Sequence, residues 1–334
     1  MEQLLKRLSA ARGVSGSEAG VAAVVKTEME AICDEVYIDN LGSVIGKKAA
    51  DCPHPTRVLL EAHMDEVGLM VKEITQDGFL LFAPIGGLDP KVLPGAEVVV
   101  HGKEDLYGVI GAKPPHLLSG KREVLSMDDM AIDAGFSSRE EAKKHLRIGS
   151  TATFRTDVTP LLGGRIAGRC LDDRAGLMLI LEAAKRIQNS NVELYLSASV
   201  QEEVGLRGAG VAAKRIAPHL AIAVDVTHGD SPDADKKTFP LGKGPAILVG
   251  PNAHPAMTQK MIEIAKKQGI SYQLEVDGSG DSGTDAAIMQ VMGAGIPTML
   301  LSIPLRYMHT HHEVMDLSDA EAGVRLLTEF VNEI

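Results

Sequence analysis

The chain has 334 residues, 45% of them apolar and 3% aromatic, which predicts one large domain and a smaller one with aliphatic cores. A formal net charge of −11 argues against nucleic-acid binding, which favours basic surfaces. Three scattered cysteines exclude a disulfide framework, and because neither a signal peptide nor a membrane-length apolar run is evident, we expect a cytoplasmic protein without membrane partners.

The first part of the chain alternates helices with strands. Residues 1–12 have an amphipathic helical pattern, and Ser15 or Ser17 is expected to cap the next helix. After a hairpin with its turn at residues 39–42, a buried strand at residues 57–62 ends at His63. Open α/β sheets bind ligands at strand carboxyl ends, so His63 is a candidate ligand, and Asp65 is the candidate acceptor for its second ring nitrogen.

From Gly68 the pattern changes to strands separated by turns. Strand-like stretches occupy residues 69–74, 79–83, 97–101 and 107–112 without helices between them, which indicates a β-rich block rather than βαβ units. A polar loop at 114–122, a short helix to His145 and a strand at 151–154 complete it. We expect residues 68–161 to be an inserted β-rich domain, and residues 1–67 and 162–334 to form one discontinuous α/β domain.

After the insertion, acidic residues stand beside predicted strands and helices. Asp172 and Asp173 precede a helix, Glu202 and Glu203 follow a strand at 192–200, and Asp225 follows a strand at 220–224. Further strands are expected at 244–249, 272–276 and 296–303, followed by His309 and a terminal helix, 319–334, capped by Ser318. This alternation predicts a mixed sheet flanked by helices.

A lone Asp-Asp pair before a helix is ordinarily an N-cap with a charged neighbour. Here His63, the Glu202–Glu203 pair, Asp225 and His309 add the ligand types of a two-metal hydrolase, with Asp172 as the bridging carboxylate. Taken alone, Asp225 is as readily explained as an N-cap or turn residue as it is as a metal ligand.

Glu202 and Glu203 divide two roles in this hypothesis. Neighbouring side chains of an extended segment point in opposite directions, so one carboxylate can ligate a metal while the other takes a proton from the attacking water. Spacing alone does not decide which of His309, His311 and His312 coordinates.

Seven short motifs follow one another along the chain: GVSG at 13–16, AHMDEVG at 62–68, LDDR at 171–174, EEVG at 202–205, VDVT at 224–227, GTDA at 283–286 and RYMH at 306–309. In this order and spacing the whole chain resembles the glutamyl/leucyl and deblocking aminopeptidases, which form tetrahedral TET-type assemblies. Similar sequences are sometimes labelled endoglucanase.

The resemblance implies an aminopeptidase that removes N-terminal residues from peptides, with a metal-bridging water as the nucleophile. It assigns His63 and Asp225 to one metal, Glu203 and His309 to the other, Asp172 to both, general-base catalysis to Glu202, and the orientation of His63 to Asp65. It implies a zinc-peptidase sheet with a PDZ-like dimerisation insert, peptide substrates, and self-assembly into dimers and a tetrahedral dodecamer. The expected cofactors are two divalent ions per subunit, zinc or cobalt, with manganese as an alternative.

Two departures from the family pattern leave roles open. Thr310, His311 and His312 replace the frequent Ser-Pro-Val, so the extra histidines can add a site, tune the metal water or face solvent. Cys170 stands where a small residue is frequent, and it is either a ligand or a buried bystander.

Three other functions compete with this interpretation. A related two-metal deacylase or carboxypeptidase shares the ligands, although the β-rich insert favours an aminopeptidase. A glycosidase also uses paired carboxylates, but it needs no metal and usually carries aromatic sugar platforms. A non-catalytic peptide-binding scaffold would be expected only if Glu202 or a ligand were replaced.

Overall fold

The structure is a computed structural model that describes residues 1–112, 126–232, 238–280 and 282–334. Within these ranges the chain forms a mixed α/β sheet flanked by helices, together with a closed β-barrel. The polar loop expected at 114–122 lies outside the described residues. Across the described helices, none combines the length and apolarity that crossing a membrane requires.

The described α-helices are α1 Glu2–Ala10, α2 Ala19–Glu30, α3 Arg139–His145, α4 Leu171–Arg186, α5 Arg207–Ile216, α6 Pro255–Gln268, α7 Asp285–Met289 and α8 Leu317–Asn332. Helix α1 buries Leu4, Leu5 and Leu8, the apolar face that its spacing predicts.

Two predicted helix caps are wrong. The N-cap position of α2 is Glu18 and carries no side-chain capping bond, so neither Ser15 nor Ser17 caps this helix. Asp316 caps α8 by accepting a hydrogen bond from the Ser318 N–H, because the helix begins two residues earlier than the sequence suggests.

The described strands are β1 Glu35–Ile38, β2 Val44–Lys48, β3 Thr56–His63, β4 Gly68–Ile74, β5 Leu80–Ile85, β6 Glu97–His101, β7 Asp105–Ala112, β8 Met130–Asp133, β9 Thr151–Phe154, β10 Thr159–Pro160, β11 Arg165–Gly168, β12 Val192–Ser199, β13 Leu220–His228, β14 Ala246–Val249, β15 Gln273–Val276, β16 Thr298–Leu305 and β17 Glu313–Asp316.

The main sheet has the strand order β1-β2-β12-β3-β13-β16-β14-β15. Its central strands β12, β3, β13 and β16 are parallel and buried, as expected where helices cover both faces. Alternate residues of β3 face opposite cores: Val58 and Leu60 pack with α1, α2, α4 and α8, whereas Leu59 packs with α5. The parallel strands thus bring their carboxyl ends to one edge of the sheet.

The position of Asp225 differs from the sequence-based expectation. Strand β13 was expected to end at Val224, but it continues to His228, so Asp225 lies inside the strand. The strand continues because β13 pairs in parallel with β16 as far as His228 and Leu305.

Strands β4, β5, β8, β7, β6 and β9 close into a barrel with its own apolar core, which includes Leu69, Val71 and Phe82. Gly68 begins the barrel where space is limited, since a Cβ there would lie 2.6 Å from Val14 Cγ2 and 2.9 Å from the Ala152 carbonyl oxygen. The chain therefore passes from the sheet to the barrel through a position that suits only glycine.

A small sheet of β10, β11 and β17 was not predicted from the sequence. In it, Gly168 of β11 is paired with Glu313 of β17. Because β11 leads into Asp172 and β17 follows His309, this pairing brings two separate ligand-bearing segments together.

Candidate metal centre

His63, the last residue of β3, lies at the centre of a buried polar cluster and is 2% exposed. Its Nε2 is 3.1 Å from Asp172 Oδ1. Its Nδ1 is 3.2 Å from the Asp65 carbonyl oxygen and 3.5 Å from Asp65 Oδ1. The ring is thus held between a main-chain and side-chain acceptor and a second carboxylate.

Asp172 connects the two imidazoles. Its Oδ2 is 3.3 Å from His309 Nε2, which also lies 3.2 Å from Glu203 Oε2. The Nδ1 atom of His309 is 2.9 Å from the Gly87 carbonyl oxygen, which leaves Nε2 directed at the carboxylates. Each oxygen of Asp172 therefore faces a different histidine.

There are two sets of three residues, and within each set the ligand atoms lie within 4.8 Å of one another. One contains His63, Asp172 and Glu203, and the other contains His63, Asp173 and Asp225. Asp172 and Asp173 have non-helical dihedral angles, and the N-cap position of α4 is Cys170, so this doublet is not an ordinary N-cap.

Asp173 is a member of this cluster that the sequence interpretation overlooked. It is fully buried, its Oδ1 accepts the Gly176 N–H at 2.9 Å, and its Oδ2 has no partner in the described chain. The adjacency of two aspartates was the available signal, but sequence alone does not show that both side chains reach the same space.

Asp65 joins His63 to the Glu202–Glu203 segment. It accepts hydrogen bonds from the Ser15 hydroxyl at 2.6 Å, the Glu202 N–H at 3.0 Å and the Glu203 N–H at 3.3 Å. The segment is a turn rather than the expected extended chain, since Gln201 has φ 60° and the Glu202 carbonyl accepts the Gly205 N–H. Two consecutive amides can converge on one carboxylate because the backbone turns here.

Glu202 and Glu203 nevertheless face different neighbours. Glu202 Oε2 is 3.9 Å from His63 Nε2, whereas Glu203 contacts His309. Burial raises the pKa of Glu202 to about 10, and Asp225 adds to the effect by charge repulsion.

Glu313 is a second functional candidate that sequence reasoning missed. It is 1% exposed, and its two carboxylate oxygens accept the Asp172 N–H at 3.1 Å and the His309 N–H at 3.0 Å. It thereby fixes the backbone at two ligand candidates without occupying the cluster itself.

A buried ion network supports the segment before Asp172. Glu66 pairs with Arg169, lies 3.5 Å from Arg174 and accepts the Gly13 N–H at 3.0 Å. Arg174 in turn donates to the Leu8 carbonyl at 2.7 Å. These contacts anchor helix α1 and the Asp172 loop to each other.

The charges of the cluster fit bound cations. Burial and repulsion from Asp225 raise the pKa of Asp173, and burial and repulsion from Asp172 raise that of Asp225. Burial lowers the pKa of His309, but the hydrogen bonds that its ring donates to Asp172 and Glu203 outweigh this effect and raise the pKa to about 11. Imidazole nitrogens beside converging carboxylates, one with an unpartnered oxygen, are the donor set for divalent ions of the zinc class.

The residues left open by the sequence lie outside this cluster. His311 is half-buried with its ring 5.9 Å from that of Phe154, and His312 is exposed. Cys170 is buried against the Ser9 hydroxyl, with its sulfur 3.4 Å away.

The cluster opens into a cleft of about 890 Å³ at the carboxyl edge of the sheet. Asp172, Glu202, Glu203, Asp225 and His309 line it, and Gly87 and Asp89 of the barrel segment form part of its rim. An α/β sheet with buried imidazoles and carboxylates at the end of such a cleft defines a metal-dependent hydrolase.

Comparison with known proteins identifies the particular family. The family described as M42 glutamyl aminopeptidase matches residues 42–326. A lysyl aminopeptidase of Pyrococcus furiosus is 40% identical over 339 residues, covering 99% of this chain and 97% of that protein.

Solved structures agree with this assignment. An aminopeptidase of Desulfurococcus kamchatkensis superposes with a TM-score of 0.94 at 37% identity, covering 99% of this chain and 94% of that one. The TET1 peptidase of Pyrococcus horikoshii superposes with a TM-score of 0.87 at 34% identity, covering 99% of each chain. This chain belongs to the M42 aminopeptidase family and is a metal-dependent aminopeptidase, as its motifs predicted.

Proposed function

We propose that the enzyme uses a dinuclear centre to remove N-terminal residues from peptides. His63 and Asp225 would hold one ion, Glu203 and His309 the other, and Asp172 both. The observation that carries this proposal is that the two oxygens of Asp172 lie 3.1 Å and 3.3 Å from two different imidazoles. Zinc or cobalt suits these nitrogen and oxygen donors, and manganese is the alternative.

Bound divalent ions would supply Lewis acidity, polarising the scissile carbonyl and lowering the pKa of water. Glu202 would accept the proton of the attacking water and return it to the leaving amine, because its carboxylate lines the cleft and lies 3.9 Å from His63 Nε2. Asp65 positions this base, since it holds the amides of both Glu202 and Glu203 as well as the His63 ring. Asp65 is therefore a positioning residue that orients the Glu202–Glu203 backbone as well as the His63 ring.

The chain's domain organisation supports a self-assembling enzyme. We propose that residues 68–161 form a PDZ-like dimerisation domain and that residues 1–67 with 162–334 form the catalytic domain. The TET1 peptidase, which assembles into a tetrahedron or a large octahedral shell, is covered over 99% of its length. Dimers that build a tetrahedral dodecamer are the assembly we infer for this chain, with peptides as substrates.

The relatives' names do not agree on side-chain preference. One is a lysyl aminopeptidase, whereas the matched family is described as glutamyl, and these two side chains carry opposite charges. The preference of this enzyme must therefore come from its own cleft.

The decisive test compares a free-amine peptide with its N-acetylated twin, using metal-loaded enzyme with and without chelator. Stepwise release of N-terminal residues from the free peptide alone, abolished by chelator and restored by zinc or cobalt, is expected. Glu202→Gln should lower kcat by about 10²–10⁴-fold while metal content stays unchanged. Release from the carboxyl end, or hydrolysis of the acetyl group alone, would instead establish a carboxypeptidase or deacylase.

A further inference from the structure

A cavity of about 460 Å³ lies between helix α2 and the barrel segment, and it shares no lining residue with the cleft at the metal centre. Residues between 12 and 20 form one wall, and residues 101–103 and others between 143 and 151 form the second wall. Its volume is in the range of cavities that hold small organic ligands. The cavity is therefore a second candidate binding site, separate from the metal centre.

The lining of this cavity is basic, although the chain as a whole has a net charge of −11. No aspartate or glutamate is among the described residues that line it. Its charged and imidazole side chains come from both walls and are Arg12, His101, Lys103, Lys143, His145 and Arg147. Such a concave surface of one sign attracts anions.

Half of these side chains already have an acidic neighbour outside the lining. Asp105 contacts Arg12 at 3.4 Å and His101 at 2.7 Å, and Glu104 contacts His145 at 2.5 Å. The other three form no ion pair with any residue that the structure describes, and we call them the cavity cations: Lys103, Lys143 and Arg147. Their charges are available to a ligand.

The start of helix α2 adds main-chain donors to the same cavity. Its third and fourth N–H groups donate to the carbonyls of Arg12 and Glu18 at 3.0 Å and 2.9 Å. The N–H groups of Ala19 and Gly20, which line the cavity, have no hydrogen-bond partner within the described ranges. Because no side chain caps this helix, its positive end is open to an anion.

Thr151 supplies a polar side chain that is already inside the protein, since the residue is only 9% exposed. Ala152 and Phe154 pack in the barrel core, so the alternate residues Thr151 and Thr153 face outward from β9. The Thr153 hydroxyl lies 3.0 Å from His101 Nε2. The Thr151 hydroxyl lines the cavity and has no hydrogen-bond partner in the described chain. It is placed to donate to a ligand, which would satisfy a nearly buried polar group.

We propose that this cavity binds a small anion that carries two or more linked phosphate groups. Phosphate oxygens would accept hydrogen bonds from the N–H groups of Ala19 and Gly20 and from the Thr151 hydroxyl, while the cavity cations neutralise their charge. A diphosphate suits the cavity better than a single carboxylate does, because the donors are numerous and come from both walls. The bound anion would thereby join helix α2 to the barrel segment.

The test is calorimetric titration of pyrophosphate into the metal-loaded enzyme at constant ionic strength. Saturable binding to the wild-type enzyme is expected. Lys143→Gln and Arg147→Gln should each raise the Kd by about 10-fold, the value of one charge-assisted hydrogen bond at the low end of its range. Thr151→Val, which keeps the size of the side chain, should raise it by about 2–10-fold through loss of one neutral hydrogen bond.

Lys144→Gln is the matched control for Lys143→Gln. Both lysines are exposed and lie in the last turn of α3, but only Lys143 lines the cavity. The control should leave the Kd within about twofold of wild type, since a screened surface charge contributes little. An equal rise in the Kd in both variants would show that general electrostatic attraction holds the anion, and would overturn the proposal.

Two further ligands distinguish the sources of the phosphate group. Tighter binding of ADP than of pyrophosphate would support a nucleotide as the ligand, whereas equal or weaker binding of ADP would support an inorganic or other phosphorylated anion. Inorganic phosphate should bind more weakly than pyrophosphate, because it meets fewer of the donors. Tighter binding of inorganic phosphate would overturn the requirement for linked phosphate groups.

Binding at the proposed metal centre is distinguishable from binding in the cavity, because the variants leave the metal ligands intact. Pyrophosphate binding that is unchanged by Lys143→Gln, Arg147→Gln and Thr151→Val would place the anion elsewhere and refute the proposal. No saturable binding of pyrophosphate or ADP to the wild-type enzyme would also refute it. Neither result would affect the proposed aminopeptidase function, since the titration does not depend on peptide hydrolysis.

Discussion

Glu313→Gln tests whether the Glu313 carboxylate fixes the backbone of the two ligand candidates Asp172 and His309. The native carboxylate accepts two N–H groups, from Asp172 at 3.1 Å and from His309 at 3.0 Å, at a position 1% exposed. Glutamine keeps one acceptor but turns an NH₂ group toward the other buried N–H. One charge-assisted hydrogen bond is lost and one donor is left unsatisfied, so we expect the free energy of unfolding to fall by about 2–4 kcal/mol.

The same change should weaken metal binding. Mutation of a residue that orients metal ligands typically weakens metal affinity by about 10–100-fold. Glu313 orients both Asp172 and His309. Urea unfolding of the metal-free proteins gives the stability difference, and competition with a chromogenic chelator gives the affinity. Glu321→Gln is the control, because it removes only an exposed ion pair with Arg186. Wild-type metal affinity in Glu313→Gln would refute the positioning role.

Two further predictions concern the buried Ser15 hydroxyl and the half-buried Cys33 thiol. Ser15→Ala removes the 2.6 Å hydrogen bond to Asp65 and should lower the free energy of unfolding by about 1–3 kcal/mol in chemical denaturation, whereas Ser17→Ala, at an exposed site, should change it by less than about 0.5 kcal/mol. An equal loss of unfolding free energy in the two variants would show that the Ser15–Asp65 hydrogen bond does not stabilise the fold. Burial raises the pKa of Cys33 to about 11, so alkylation by iodoacetamide at pH 8 should be about 100-fold slower in the native than in the urea-unfolded chain, and should accelerate as the pH approaches 11. Peptide mass spectrometry would measure the alkylation of Cys33, and equal rates in the two states would contradict the raised pKa of this thiol.

The sequence predicts this fold well where structure is local. The apolar spacing of α1, the hairpin of β1 and β2, and the loss of helical pattern at Gly68 all come from residues that are neighbours in the chain. The same holds for residue types: imidazoles and carboxylates grouped beside buried strands indicate a metal site before any distance is known.

Contacts between distant segments could not be predicted in this way. Asp172 and Glu313 are 141 residues apart, and the β11–β17 pairing that joins their segments carries only a short, weak strand pattern. The true cap of α8 and the continuation of β13 past Asp225 likewise depend on partners elsewhere in the chain. Each of these was missed or misplaced for that reason.

Sequence alone therefore determined the family, the enzyme class and which residue types the centre would contain. Tertiary structure decided how they are held: Asp65 accepts two consecutive amides, Glu313 accepts the amides of two ligand candidates, and Asp173 lies inside the cluster. The physical reason is that a pattern along the chain reports which side of an element a residue occupies, whereas hydrogen bonding and burial depend on which other elements cover that side.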